Sequence, residues 1–466
     1  QGFAGRAAYT YADRYIAEFN FGYNGSENFA KGNRFGFFPS IAAGWIVSEE
    51  EFMRPVQNYI NKLKLRASYG LAGNDRFYND DGSQKRFAYI TTIGSTDGYK
   101  WGNSNAFYEK GGLREGDPGV ESLTWETVKK ANVGIELGLF KMAELQVDFF
   151  HERREDIFMQ RKNIPSSAGF PSAPWANYGI VTNKGFDISL DLNKQINKDW
   201  FISARASVTY AKNKIIEQDE DLGVLGTYRS STGKPVGQIF GLVNDGLYTE
   251  ADFEDVTTGK LKPGLPVPKF SDRVYPGDIK YLDLNGDNEI TETDKTAIGG
   301  TVNPELVYGF GINLSYKNID FGAFFQGNGR TYRIIGENQK NFLPGSTIGA
   351  EGNIFTNASD AWTVDNPSQD VFYPRLHMGY NANNAQVSDW WLKDMSMLRL
   401  KNVELGYSFS KNLIKKAAME YARIFVRGTN LLQFSKFDLW DPELNTSNGL
   451  KYPIMATYSI GLQVRF

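Results

Sequence analysis

The chain has 466 residues, a formal net charge of −3, no cysteine and only two histidines, His151 and His377. These totals exclude a basic field for nucleic acid, disulfide staples, thiolate metal sites and cysteine nucleophiles. A histidine-based metal or triad site would have to use one of two residues far apart in sequence. No run of 18 or more apolar residues occurs, so no transmembrane helix is expected. Aromatics nonetheless make up 14% of the chain, with 33 Phe and 25 Tyr, beside 48 Gly.

From the start, the chain reads with period two. Tyr15, Ala17, Phe19, Phe21 and Tyr23 alternate with Ile16, Glu18, Asn20, Gly22 and Asn24. Leu63, Leu65, Ala67, Tyr69 and Leu71 alternate with Lys62, Lys64, Arg66, Ser68 and Gly70. The pattern returns at Val133–Leu139, Phe186–Leu192 and Phe310–Tyr316, and it ends on Tyr458, Ile460, Leu462, Val464 and Phe466. Successive side chains of a strand point to opposite faces, so each segment has one apolar and one polar face. About thirteen such strands are expected, near 5–12, 14–24, 35–47, 62–73, 124–139, 143–157, 184–194, 199–213, 305–316, 319–328, 396–409, 422–431 and 456–466. Several reach the length that a tilted strand needs to cross a bilayer. In one of them Leu398 and Leu400 share a phase that Val403, Leu405, Tyr407 and Phe409 abandon. A bulge near Asn402 would reconcile the two halves.

The connections alternate in length. Short ones fall near 13, 48–61, 140–142, 195–198, 317–318 and 410–421. Long ones fall near 25–34, 74–123, 158–183, 214–304, 329–395 and 432–455. Outer-membrane barrels have short periplasmic turns and long extracellular loops. The fold expected is therefore all-β, an antiparallel transmembrane β-barrel. An antiparallel barrel of this kind needs an even strand number. Thirteen strands cannot close that way, so further strands are expected before Gln1, and the chain is read as a fragment or a processed piece.

Several stretches resemble the SusC/RagA-type TonB-dependent transporters. They are YTYADRYIAEFNFGYNGSENF, NRFGFFPSIAAGWIVSEEEFM, INKLKLRASYGLAGND, LTWETVKKANVGIELGLF, TNKGFDISLDL, GQIFGLVNDGLY, WLKDMSMLRLKNVELGYSF and VRGTNLLQFSKF, in that order. The terminal alternation to Phe466 is similar to the signature that barrel-assembly machinery reads. The resemblance runs from about residue 5 to 466. It implies the C-terminal part of a 22-stranded barrel, with the plug, the TonB box and the early strands outside this chain. It further implies import of bulky nutrients, oligosaccharides or peptides, with a SusD-like surface lipoprotein outside and TonB pulling from the periplasm. It gives no residue-level substrate site and no catalytic residue, and the chain is not expected to be an enzyme.

One loop carries metal-type spacing. Asp283, Asn285, Asp287, Glu289, Thr291 and Asp294 fall at positions 1, 3, 5, 7, 9 and 12 of a calcium-type loop. Ca²⁺ takes six to eight hard oxygens from a loop that wraps it. Asn288 stands where glycine is usual, and Asn tolerates a left-handed turn. Position 7 normally offers a backbone carbonyl, which leaves the Glu289 side chain idle. The plainer reading is a solvated acidic turn with no ion. A bound ion would be structural and would stiffen the loop 214–304.

Other candidates take bland readings. Asp389, Trp390 and Trp391 could form a sugar-stacking platform, but a membrane-interface aromatic girdle is preferred, as for Trp45, Trp101, Trp125, Trp200 and Trp440. Lys62, Lys64 and Arg66 are placed toward the lumen or the periplasmic rim. The acid runs Glu49–Glu51 and Asp219–Asp221 are taken as solvated loop charge rather than a glycosidase pair. Against the importer stand two alternatives: a passive porin-like or scaffold barrel, and a soluble all-β carbohydrate-binding or hydrolase protein.

Overall fold

The computed structural model describes residues 1–79, 82–103, 106–170, 172–336, 356–415 and 418–466. Part of the long connection 329–395, residues 337–355, lies outside the described residues. All thirteen expected strands form. They are β1 (Gly2–Tyr11), β2 (Tyr15–Gly25), β3 (Phe35–Ile46), β4 (Ile60–Asn74), β5 (Glu126–Leu139), β6 (Ala143–Gln160) and β7 (Trp175–Gln195), then β8 (Trp200–Glu217), β9 (Leu306–Tyr316), β10 (Ile319–Gly329), β11 (Met397–Ser408), β12 (Tyr421–Ser435) and β13 (Thr457–Arg465). They make one antiparallel sheet whose hydrogen-bonded order is the chain order. No helix among the described residues is long and apolar enough to cross a membrane.

Local chemistry fixes the register. Ala12 and Asp13 at φ 52° and 55°, and Phe140 and Lys141 at φ 54° and 55°, make tight turns that twist with the flanking strands. Register then follows from the turns, Tyr11 pairing with Tyr15 and Leu139 with Ala143. The phase change in β11 is a bulge, one residue from the position expected. Phe324 and Phe325 of β10 pair with Asn402 and Leu400, so Lys401 is the extra residue. On the other side of β11, Leu400 faces Leu432 and Asn402 faces Thr429. Asn430 there takes φ 54°.

Several strands run longer than the sequence reading gave them, β7 most of all. β6 runs to Gln160 and β7 begins at Trp175, so the connection read as 158–183 is only 161–174. Beyond Arg154 the one-sided apolar pattern fades, but backbone pairing carries the hairpin on to Gln160 and Trp175. Periodicity detects a half-greasy surface, and here apolar residues on both faces, Phe158 in a packed core among them, break the alternation.

The chain divides into two compact units. One is Gln1–Asn193 with Thr209–Leu225 and Thr232–Lys234; the other is Lys194–Val208, Gly226–Ser231 and Pro235–Phe466. In both, the apolar face of the long strands stays uncovered: Ile41 is 59% exposed, Val133 56% and Leu405 54%. Packed cores lie instead in the connections. In the first unit Phe29, Phe77, Leu123, Trp125 and Phe158 cluster. In the second, Leu242, Ile279, Tyr281, Ile290, Ile335, Tyr373 and Trp391 form a larger core. Short pairings frame that core: Gln238–Gly241 with Thr296–Thr301, Asn244–Leu247 with Ile279–Tyr281, and Tyr332–Ile334 with Leu392–Asp394.

Candidate functional site

The polar face of the strands is a lattice of ion pairs. Lys62, Lys64 and Arg66 of β4 surround Glu136 of β5 at 3.0, 3.6 and 3.4 Å. Arg66 also reaches across β5 to Asp148 of β6 at 2.6 Å. It can do so because Gly134 lies between them, opposite both Arg66 and Asp148. A Cβ at Gly134 would stand 2.6 Å from Asp148 Oδ1 and 2.8 Å from Arg66 Nε. The same device recurs in the second unit. Arg423 of β12 donates to Asp320 of β10 over Gly406 of β11, its Nε at 3.0 Å. Arg423 and Arg427 both bond Glu404 at 2.6 Å. The three β4 cations are thus held by acids of the neighbouring strands.

The acidic loop curls back on hydrogen bonds from its own backbone. Asp283 sits at its head and accepts from the backbone N–H groups of Gly286 (2.7 Å) and Asn288 (2.8 Å). Burial tends to raise the Asp283 carboxyl, but these N–H donors outweigh it and hold it below the usual carboxylate range. Asn285 accepts from Asp287 N–H at 2.9 Å, and Asp287 from Glu289 N–H at 2.8 Å. Asp294, fully buried, closes the loop by accepting from Leu284 N–H at 3.0 Å and Thr291 N–H at 2.8 Å. Asn288 has φ 62°, the left-handed turn expected of it. Glu289 turns away to Lys269 at 2.9 Å. Thr291 Oγ1 lies 2.6 Å from Thr293 Oγ1. Among the described residues, no group of three or more His, Asp or Glu side chains comes together as a metal site.

The tryptophans scatter by role. Trp45 and Trp200 sit near short turns, partly exposed, with Trp45 stacked on Tyr15 and Trp200 against Tyr316. That placement suits an interface girdle. Trp391 does not belong to one: it is fully buried, and its Nε1 donates to Asn384 O at 2.8 Å. Trp390 donates to Phe372 O, and Trp125 to Arg34 O, each from a packed cluster. Trp440 packs on Phe437. Trp101 lies on a hairpin, Ile93–Asn103 with Ala106–Glu115, between Tyr99 and Tyr108. Asp389 clamps Asn244 through its backbone and side-chain N–H groups at 2.8 and 2.6 Å.

Within the two acid runs read as solvated charge, Glu49, Glu51 and Asp221 are exposed, while Glu50, Asp219 and Glu220 are held by partners. Glu50 gathers Tyr15 Oη (2.6 Å), Trp45 Nε1 (3.0 Å) and Arg14 Nη1 (3.1 Å) around one short turn. Asp219 and Glu220 are buried. Burial would raise the Asp219 carboxyl, but Arg161 Nε, the Lys162 and Asn163 N–H groups and the Asn163 amide bring it down to about 2. Glu220 accepts from Thr232. Of the two histidines, His377 has a buried acid as its partner. Its Nε2 meets the fully buried Asp278 Oδ1 at 2.5 Å, across 99 residues of sequence. Nothing local in the chain signals that pair. His151, the other histidine, is a strand residue of β6 opposite Ala131 and Lys184.

Comparison with known proteins places this wall and its loops. No family model matches the chain. It is 30% identical over 491 residues to TonB-dependent receptor P26 of Formosa agariphila, covering 100% of this chain and 46% of that protein. It is 25% identical over 474 residues to TonB-dependent receptor SusC of Bacteroides thetaiotaomicron, covering 99% and 43%. The structure of the RagAB peptide transporter superposes with a TM-score of 0.74 at 23% identity, over 99% of this chain and 47% of that chain. The chain therefore spans less than half the length of the relatives it matches, and its fold is that of the RagAB barrel.

Proposed function

We propose that this chain, a stretch of outer-membrane β-barrel of the SusC/RagA type of TonB-dependent receptor, serves the active uptake of bulky nutrients, oligosaccharides or peptides. It does so as part of a longer receptor, with a SusD-like surface lipoprotein as the outer partner and TonB as the source of force. One observation carries the reading: similarity to TonB-dependent receptors extends over 99–100% of the chain. The physical arrangement agrees with it. An exposed apolar strand face suits lipid, and an ion-paired opposite face suits a wet lumen. Nothing in that arrangement asks for a chemical step, and the relatives are named receptors.

The test is uptake by cells with and without the full-length receptor, on labelled oligosaccharides and peptides, before and after the proton gradient is dissipated. Active import predicts accumulation that needs both the receptor and the gradient. Uptake that persists without the gradient would instead establish the passive porin-like reading.

We further propose that the loop 283–294 takes a structural Ca²⁺. Asp283, Asn285, Asp287 and Asp294 would supply side-chain oxygens and Glu289 its backbone carbonyl, with Thr291 nearest the remaining position. The head carboxylate bonded to the N–H groups of positions 4 and 6 supports this, as does the left-handed Asn288. Calcium should raise the midpoint of heat-induced loosening of the purified receptor's loops, read by limited proteolysis. Asp283→Asn should cancel the effect. A midpoint indifferent to calcium and chelator alike would leave an acidic turn held by its own backbone.

A further inference from the structure

The connection between β8 and β9 carries an open concavity of about 570 Å³, lined along residues 254–274. That size lies within the range of small-ligand pockets. Its walls are fixed by backbone bonds. On one side the hairpin Phe253–Asp255 with Lys260–Leu261 is tied by the Lys262 N–H, which donates to Asp252 O at 2.9 Å. On the other, Val267–Pro268 runs parallel to Glu289–Ile290 of the acidic loop, with Val267 N–H on Asn288 O at 2.9 Å and Lys269 N–H on Ile290 O at 3.0 Å. Beneath lies a small apolar core of Tyr248, Phe253 and Val274, with Leu261 against it. A preformed, backbone-braced concavity of this kind loses little order when a ligand enters.

The charges on the lining are unevenly matched. Lys260 and Glu254 neutralise one another at 2.6 Å. Lys262 and Arg273 are exposed and have no side-chain partner among the described residues, and Asp272 is the one other lining acid. Lys262 and Arg273 therefore outnumber Asp272 on a lining that also carries Leu265 and Val267, beside Ser271, glycines and prolines. A guanidinium presents a planar fork of donors that matches a carboxylate, and an ammonium adds a point charge. Apolar walls beside them reward a ligand with a greasy body next to its anion.

We propose that this cavity binds a carboxylate carried on an apolar body, such as the C-terminal residue of a short peptide. Arg273 and Lys262 hold the carboxylate, while Leu265 and Val267 cover the side chain. A uronic sugar carries the same anion but offers Leu265 and Val267 no apolar body to cover. The inference is separable from transport. It concerns equilibrium binding to the purified full-length receptor in detergent, and neither result decides the other.

The experiment is ligand-detected NMR titration with N-acetyl-leucine, with N-acetyl-leucinamide and with galacturonate. The acid should bind about tenfold or more tightly than the amide, the discrimination expected from charge-assisted hydrogen bonds. Arg273→Gln and Lys262→Gln should each reduce that preference, and the pair should abolish it. Both side chains are exposed, and an unchanged thermal midpoint would show that the variants fold. Equal binding of acid and amide, no binding of either, a preference that survives the double variant, or tighter binding of galacturonate would each overturn the proposal.

Discussion

Strands β10–β12 and the folded connections of the same unit hold their apolar side chains in opposite places. On the strands, Leu405, Val426 and Ile424 stand exposed, while Arg423, Glu404 and Asp320 are drawn together on the other face. In the connections, Leu242, Ile279, Ile290, Tyr373 and Trp391 are sealed from solvent, as in any water-soluble domain. One chain thus folds by two solvent rules. The strand wall is built for lipid outside and water inside, and its stability must come from backbone ladders and the polar lattice. The connections are built for water alone, and theirs comes from burial.

Removing the anchor of the buried core gives the largest expected effect. Trp391 is fully enclosed and also donates from its indole. Trp391→Ala should cost about 3–5 kcal/mol locally. The strands pair through their own backbone ladder, so the variant should still migrate as a heat-modifiable barrel. Its connections between β8 and β12 should meanwhile become rapidly cleavable by protease. If the barrel is lost together with the loops, the two regions are one cooperative unit and the comparison fails.

The mirror-image change strikes the wall. Valine at Gly134 would occupy the space through which Arg66 reaches Asp148. Gly134→Val should cost about 1–3 kcal/mol by forced displacement. It should lower the temperature at which the barrel loses heat-modifiable migration and leave loop proteolysis unchanged. The sharper form is a double variant. With Arg66→Ala already present the valine meets one obstacle fewer, so its added cost should shrink. Gly406, beneath Arg423 and Asp320, should behave alike.

These two regions also divide what could be read in advance. Every wall strand was visible because its signal is local: alternate residues meet lipid, and the next ones meet water. Even the bulge at Lys401 was announced by the phase change between Leu400 and Val403. The buried core was invisible because its members come from Leu242 to Phe437 and share no period. Trp391 therefore looked like a girdle residue. Asp219 and Glu220 looked solvated because adjacent acids usually are, and their partners, Arg161 and Thr232, come from other segments. The acidic loop was legible because the bonds that Asp283, Asn285, Asp287 and Asp294 accept fall within twelve residues.

Asp219 supplies the smallest effect and a test at the boundary between the two rules. It lies just past the end of β8, buried like a core residue yet charged like a wall residue. Its folded carboxyl titrates at about 2, below the usual value of 3.8. A depressed folded pKa contributes stability that is complete above the unfolded value and is lost as pH falls through the folded one. The clasp from Asp219 to Arg161, Lys162 and Asn163 should therefore hold down to about pH 4 and loosen progressively from there toward pH 2. Hydrogen exchange at the Lys162 and Asn163 amides, both of which donate to Asp219, would report it directly. Once the intrinsic pH dependence of exchange is removed, protection should fall across that window, and Asp219→Asn should flatten the profile. Protection that stays level from pH 4 to pH 2 would mean that packing, rather than the carboxylate, closes this end of the strand.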